Sequence, residues 1–197
     1  MGPLTEALAF IVRSLFGIAA GVFLIRLLMQ GLRVDFRNPI CQATYRFTNP
    51  VLQPLSKLLP TLRSWNTAAF VVAFVILLAG EWLALLIVGV MFGPIPILLR
   101  TLGVMVGAVV WTLFGMILVR VIGSYLSADP SNPVMALLKA ITLPILRPFQ
   151  RLIPPIGGFD LSPAFACILL QVCWILLGKP LIDQASILYA MSLGAGL

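Results

Sequence analysis

An acidic residue inside a long apolar stretch is the first sign of possible chemistry in this chain. Glu81 lies near the middle of the apolar stretch 67–92. Because a charge in lipid is costly unless it is paired or neutralised, Glu81 is expected to face the interior of a helix bundle. Two interpretations stay open. Glu81 could handle protons or cations, partnered by Arg13 or Arg100, or it could form a structural ion pair or a protonated carboxyl group bonded to the backbone.

Two arginines, Arg26 and Arg120, occupy equivalent places near the ends of two other apolar stretches. Long basic side chains at such places commonly extend to the lipid headgroups. Alternatively, they reach the acidic residues Asp35, Asp129 and Asp160 and hold the connecting loops against the bundle. Their equivalent positions favour a shared structural role.

The residue types that usually build metal and redox sites are scarce. The chain has no histidine, which removes histidine-ligated zinc and the most common general base. The cysteines Cys41, Cys167 and Cys173 lack the spacing of a metal site or redox motif and are interpreted as small apolar residues. We therefore expect neither a metal ion nor a cofactor.

A glycine turn and the absence of a catalytic set complete the search for chemistry. Gly157 and Gly158 are expected to form a turn before a helix that Asp160 or Ser162 caps. No strand and no GK[ST] sequence accompany this turn, so it is not a phosphate-binding loop. No Ser/His, Cys/His or paired-carboxylate set is present either. An enzyme is the least favoured class of function.

The composition indicates a membrane protein. The 197 residues are 61% apolar and 10% charged, and the mean hydropathy is +1.11. A soluble domain of this size could not bury so much apolar surface, so part of the solvent must be lipid. The net charge of +7 is not concentrated in Lys/Arg runs. It fits anionic lipid headgroups better than nucleic acid, and no direct nucleic-acid binding is expected.

Four apolar stretches approach or exceed the roughly 20 residues that a helix needs to cross a bilayer. The first contains Arg13 and lacks a preceding basic segment, so it is interpreted as a retained anchor and not as a cleaved signal. Lys179 and Pro180 are expected to end the fourth span, and residues 181–197 are expected to form an interfacial or partly inserted helix. The predicted spans are 4–29, 67–92, 97–125 and 163–178.

The chain contains an internal repeat. A shift of 94 residues, from Arg26 to Arg120 for example, superposes many residues without a gap. The other superposed pairs include Asn38-Pro39 with Asn132-Pro133, Thr48 with Thr142, Pro50 with Pro144, Pro54 with Pro148, and Pro60 with Pro154. Two spans in each unit return the chain to its starting side, so the repeats are parallel. The predicted fold is an all-α membrane protein with two span-loop-span repeats, 1–92 and 93–178, and a tail, 179–197.

Each connecting loop is predicted to carry short amphipathic helices. Asn-Pro starts the first helix of each loop, and Pro50 or Pro144 is expected to break it and start a second one. Lys57, Arg147 and Arg151 fall opposite the apolar positions of these second helices. Such helices could lie among lipid headgroups with their basic faces toward phosphate, or they could pack on the protein's own spans.

The basic residues also predict an orientation. Both long loops carry several Lys and Arg residues, whereas the turn at Gly93 and the first few residues carry none. By the positive-inside rule both loops face the cytoplasm and both termini lie outside. Arg13 and Arg100 lie near the outer ends and count mildly against this orientation.

The second loop resembles the signature of the YggT family of small membrane proteins. The resemblance is carried by Leu146-Arg147-Pro148, Leu152-Ile153-Pro154-Pro155 and 157–163, GGFDLSP, and the Arg26, Asn38-Pro39 and Pro50 series is similar to the family's first repeat. Arg63-Ser64-Trp65-Asn66 stands where the first repeat would have Gly-Gly-aromatic-Asp. The resemblance implies a bacterial inner-membrane protein, with some members associated with osmotic tolerance or cell-division gene neighbourhoods. Plastid relatives are linked to cytochrome b6 maturation and nucleoid distribution. No catalytic residue or cofactor comes with the resemblance.

Three hypotheses for the function remain. The first is a non-enzymatic scaffold or assembly factor that acts through its basic amphipathic loops. These loops would bind lipids, mainly anionic ones, together with partner proteins or another copy of the chain. The second is an ion or osmolyte pathway that uses Glu81 inside the membrane and that a dimer of the chain could form. The third is a surface protein that senses lipid.

Overall fold

The computed structural model describes residues 2–60, 62, 64–126, 132–152 and 160–194. These residues are almost entirely helical, and in the described ranges the only β contact is an isolated bridge between Leu62 and Trp65. The elements are α1 (Pro3–Gly31), α2 (Pro39–Ser56), α3 (Thr67–Val88), α4 (Pro94–Tyr125), α5 (Pro133–Leu152), α6 (Ser162–Cys173), a π-helical segment (Trp174–Gly178) and α7 (Lys179–Gly194).

Four helices of the described chain are long and apolar enough to cross a membrane. They are α1, α3, α4, and the continuous helix formed by α6, the π segment and α7. Their most apolar windows have mean hydropathies of 2.0 to 2.7. Large apolar side chains such as Phe10, Trp82 and Trp111 stay more than half exposed on these helices. An apolar outer surface of this kind suits lipid, and the protein is a multi-pass membrane protein.

The two repeats have the same order of elements. In the first, α1 packs along α3 and α2 covers one end of the pair. In the second, α4 packs along the fourth spanning helix, and α5 covers the corresponding end. The side chain of Asn38 donates a hydrogen bond of 2.7 Å to the carbonyl oxygen of Pro133, which joins the starts of α2 and α5. Both loop helices therefore lie at the same end of the bundle, as parallel repeats require.

The predicted helix starts are confirmed in both loops. The side chain of Asn38 accepts a hydrogen bond from the backbone of Ile40, and Asn132 accepts one from Val134, each at 2.9 Å. The proline that follows each asparagine stands at the first helical position, where no N–H is needed.

The prediction that Pro50 and Pro144 split each loop into two helices is wrong. α2 continues through Pro50 and Pro54, and α5 continues through Pro144 and Pro148. In each helix the two prolines are four residues apart, so their missing N–H groups lie on one face. Because Pro50, Pro54, Pro144 and Pro148 are at least partly exposed, that face can tolerate the lost hydrogen bonds.

The prediction that Lys179 and Pro180 end the fourth span is also wrong. The helix continues from Ser162 to Gly194, and its window for crossing a membrane extends to Ser192. In an α-helix a proline lacks one hydrogen bond and its ring collides with the carbonyl four residues earlier. Here the preceding turn is π-helical, and the N–H of Lys179 reaches the carbonyl of Trp174. The widened turn lets the helix pass Pro180.

The turn between α3 and α4 differs slightly from the prediction. α3 ends at Val88, followed by Gly89 in the left-handed conformation with a φ of 77°. Glycine adopts this conformation without strain. Pro94 and Pro96, which follow the predicted turn at Gly93, lie in the first turn of α4, where a missing N–H costs nothing.

Candidate functional site

Three charged residues of the spanning helices, Arg13, Glu81 and Arg100, form one cluster. Oε2 of Glu81 accepts a hydrogen bond of 2.7 Å from Nε of Arg100, and Oε1 lies 3.2 Å from Nε of Arg13. The side chain of Glu81 is 4% exposed, that of Arg100 is 19% exposed and that of Arg13 is 36% exposed. Glu81 therefore contacts both of the arginines considered as its partners.

The cluster lies inside the apolar part of the bundle. At about 1.5 Å per residue, Arg13 lies about 15 Å from the start of α1 and Glu81 about 11 Å from the end of α3. Arg100 lies about 9 Å from the start of α4 by the same measure. α3 has 22 residues and a length of about 33 Å, close to the roughly 30 Å of a bilayer core, so Glu81 lies within the apolar span.

A close approach of α1 and α3 positions Glu81. Gly80 lies against the side chain of Phe16, and a Cβ atom at position 80 would be 2.5 Å from the Cβ of Phe16. The missing side chain lets the two helices meet directly beside Glu81. Arg13 then approaches from one turn earlier on α1, and Arg100 approaches from α4.

A cavity of about 260 Å³ adjoins the charged cluster. It lies between α1, α3, α4 and the fourth spanning helix. Its polar lining comes from Arg13 and Glu81, and two tryptophans, Trp111 and Trp174, also line it. The rest of the lining is apolar or glycine, namely Phe16, Gly17, Leu77, Gly80, Val104, Gly107 and Ala108.

The equivalent arginines Arg26 and Arg120 contact the loop helices. Nη2 of Arg26 donates to Oδ1 of Asn49 at 3.1 Å, and its guanidinium carbon lies 2.9 Å from the centre of the Tyr45 ring. Nη1 of Arg120 donates to Oγ1 of Thr142 at 2.8 Å. Arg26 is 4% exposed, so it is enclosed by protein. In each repeat the arginine of the spanning helix thus contacts the loop helix, although the contacted residues are not equivalent, because Thr142 corresponds to Thr48 and not to Asn49.

Basic residues on α5 and directly after the end of α2 face outward. Lys57, Arg147 and Arg151 are all exposed. On the opposite face, Cys41, Thr48 and Leu52 of α2 are buried, as are Leu137, Leu138, Ile141, Thr142 and Leu146 of α5. Exposed apolar side chains accompany the basic ones, with Phe47 at 74%, Leu58 at 82% and Leu152 at 77%.

Of the predicted turn, the structure describes Asp160, which lies just before α6. Asp160 accepts hydrogen bonds of 2.9 Å from the side chain of Gln150 and from the backbone of Ser162. Burial raises the pKa of Asp160, but these hydrogen bonds and the nearby charge of Arg120 outweigh it, so the pKa lies below its ordinary value. Gly157 and Gly158, like Asp129, lie outside the described residues.

The cysteines do not gather with other metal ligands. Cys41 is buried, whereas Cys167 and Cys173 are partly buried, and all are free thiols. Burial raises the pKa of Cys41, which makes it a weaker nucleophile. Among the described residues, no three His, Cys, Asp or Glu side chains are placed to hold a metal ion.

Sequence reasoning did not single out Tyr45, Asn49, Trp111 or Trp174. Tyr45 and Asn49 lie four residues apart on α2, a spacing that places both on the side facing Arg26, and this could have suggested a contact. The tryptophans carried no comparable signal, because aromatic residues are common in apolar spans.

Comparisons with known proteins agree with the repeat. The sequence profile of the CCB3/YggT family matches residues 5–87 and again residues 97–181. An uncharacterized protein of Pseudomonas aeruginosa is 31% identical over 86% of this chain and 87% of its own length. The uncharacterized protein YggT of Escherichia coli K12 is 30% identical over 85% of this chain and 87% of its own length. An uncharacterized protein of Vibrio alginolyticus is 31% identical over 88% of this chain and 94% of its own length. No solved structure matches the chain. The chain belongs to the CCB3/YggT family and contains the family's domain twice.

Proposed function

We propose that the protein is a non-enzymatic membrane scaffold or assembly factor that binds partner proteins and anionic lipid through α2 and α5. The observation that supports this most strongly is that the two helices form one platform. They are joined by Asn38 and Pro133, and each is held to its spanning helix by an arginine, Arg26 or Arg120. The platform thus presents an organised polar surface at one end of the bundle.

The outward face of the platform has the chemistry of a surface helix in headgroups. Lys57, Arg147 and Arg151 are exposed next to the apolar side chains Leu58 and Leu152. Apolar side chains can enter the acyl boundary while the basic groups contact phosphate or an acidic partner. By the positive-inside rule we place this face in the cytoplasm of a bacterial cell, at the inner membrane.

Charge reversal on the platform tests the proposal. Arg147→Glu combined with Arg151→Glu should reduce the recovery of partners from native membranes solubilised in mild detergent. The new negative charges repel an acidic partner or an anionic lipid surface. The matched control combines Arg33→Glu with Arg37→Glu, which makes the same change of charge outside the two helices. Full recovery with the first pair, or equal loss with both pairs, would count against the proposal.

The buried charged cluster favours a second candidate, an ion or osmolyte pathway linked to osmotic tolerance. The supporting observation is the cavity beside Glu81 and Arg13 within the spans. Proteoliposomes loaded with potassium chloride should release potassium or chloride through the parent protein and not through Glu81→Gln. Equal release from both, or none from the parent, would eliminate this candidate.

A further inference from the structure

The charges of the buried cluster do not balance. Arginine stays protonated in proteins, so Arg13 and Arg100 bring two positive charges to the single carboxylate of Glu81. Among the described residues, no second carboxylate forms an ion pair with either arginine. An excess positive charge within the apolar part of a membrane protein requires a counter-ion or a strong local interaction.

The excess positive charge lies on the Arg13 side of the cluster. Nε of Arg100 makes an aligned hydrogen bond with Glu81, whereas Nε of Arg13 is buried and makes no hydrogen bond despite its 3.2 Å contact. Buried donors of native proteins nearly always have an acceptor, so this guanidinium is incompletely satisfied. Arg13, unlike Arg100, also lines the cavity.

The cavity is built by features that bring backbone and aromatic rings close together. Gly107 of α4 faces the ring of Trp174, and Gly103 approaches the backbone oxygen of Gly178. Trp174 begins the π-helical segment, and such segments often occur at functional sites. The widened turn therefore lies in the wall of the same cavity that receives Arg13.

We infer that this cavity binds one small anion against the guanidinium of Arg13, either a free inorganic ion or the phosphate group of an anionic lipid. The volume of about 260 Å³ accommodates such a group, and the mostly apolar walls strengthen its attraction to the guanidinium. Glu81 also lines the cavity, but its carboxylate is already paired with Arg100, so the charge left for a ligand is the positive charge of Arg13, which selects an anion. The inference concerns binding alone and does not depend on the scaffold role or on transport.

Iodide is a suitable probe because it is an anion and quenches tryptophan fluorescence, and Trp111 and Trp174 line the cavity. The full-length protein in neutral detergent is titrated with iodide at constant ionic strength, with the neutral quencher acrylamide as reference. We expect a saturable component that chloride or inorganic phosphate displaces. Arg13→Gln should raise the half-saturating concentration at least about tenfold, since a charge-assisted hydrogen bond is lost. Arg33→Gln should leave it unchanged, and Trp111→Phe should reduce its amplitude.

A second measurement identifies a lipid phosphate as the bound anion. Phosphatidylglycerol would then stay bound through purification, as measured by mass spectrometry, and Arg13→Gln would lose it while Arg33→Gln would retain it. If Arg13→Gln does not fold, Arg13→Lys keeps the charge and should bind either ligand more weakly than the parent. Purely linear iodide quenching of the parent, without selective retention of phosphatidylglycerol, would overturn the inference. Equal saturation or retention in the parent and Arg13→Gln would overturn it as well.

Discussion

Removing the carboxylate of Glu81 should destabilise the protein strongly. At an effective dielectric constant of about 20, each contact of about 3 Å between unit charges contributes roughly 5 kcal/mol. Repulsion between the two arginines and the loss of hydration offset much of this attraction, and the contact with Arg13 is weakened because that side chain is 36% exposed. Removing one partner of a buried pair costs about 3–5 kcal/mol in general. We expect Glu81→Leu to cost about 3 kcal/mol, at the lower end of that range.

Thermal unfolding in detergent measures this loss. For a chain of this size, about 3 kcal/mol corresponds to a fall in Tm of about 6–12 °C. Glu6→Gln, a change at an exposed acid near the start of α1, is the control and should shift the stability by less than about 0.5 kcal/mol. The triple variant Arg13→Met, Glu81→Leu and Arg100→Met should regain the stability of the parent, since apolar replacement of a whole buried ion cluster is often neutral or favourable.

Two results would refute this reasoning. Glu81→Leu could unfold at the same temperature as the parent, which would mean that the arginines find equally good surroundings without the carboxylate. Alternatively, the triple variant could be as unstable as Glu81→Leu alone. The loss would then come from packing at position 81 and not from uncompensated charge.

Further predictions concern the contacts between helices. Gly103→Ala should lower the Tm, because its Cβ would be 2.7 Å from the oxygen of Gly178, whereas Gly115→Ala on the same helix has open space and should not. Arg26→Met should speed amide hydrogen exchange in α2 and leave α5 unchanged, because it removes the contacts with Asn49 and Tyr45. Since the folded pKa of Asp160 is depressed, its stabilisation is present above the unfolded pKa of about 3.9 and is lost as the pH falls through the folded pKa. When the Tm is measured as a function of pH, Asp160→Asn should reduce the fall in Tm at acid pH. An unchanged fall would contradict the stabilising role of the Asp160 carboxylate.

The spanning helices and the repeat could be predicted from the sequence because lipid imposes strict rules. Apolar stretches near 20 residues have few alternatives to a helix, and a gapless shift of 94 residues reveals the duplication. The helix starts at Asn38 and Asn132 were predictable for a similar reason, since asparagine before proline is a strong local signal.

The prolines were predicted less well because their effect depends on distant groups. Pro50 and Pro144 stay within helices since the lost hydrogen bonds fall on outward faces, and those faces are defined by contacts with α1 and α4. Pro180 stays within a helix because the π-helical turn before it removes the collision. No local sequence pattern predicts a π-helical turn.

The charged cluster could be predicted in part. An acid in an apolar span implies a partner, and Arg13 and Arg100 were the candidates in the spans. The sequence does not show that both arginines contact Glu81 at once, nor that a cavity lies beside Arg13. Both facts depend on how closely α1 and α3 approach at Gly80, which is a property of the packed bundle.

Position-specific crosslinking in native membranes tests the proposed function most directly. A photoreactive amino acid replaces Arg147 on α5 in one variant and Val75, a 54% exposed residue on the apolar surface of α3, in the other. The scaffold proposal predicts a discrete adduct with one partner protein from position 147 and none of the same mass from position 75. Identical adducts from both positions, or no protein adduct from position 147, would contradict the platform formed by α2 and α5 as the binding surface.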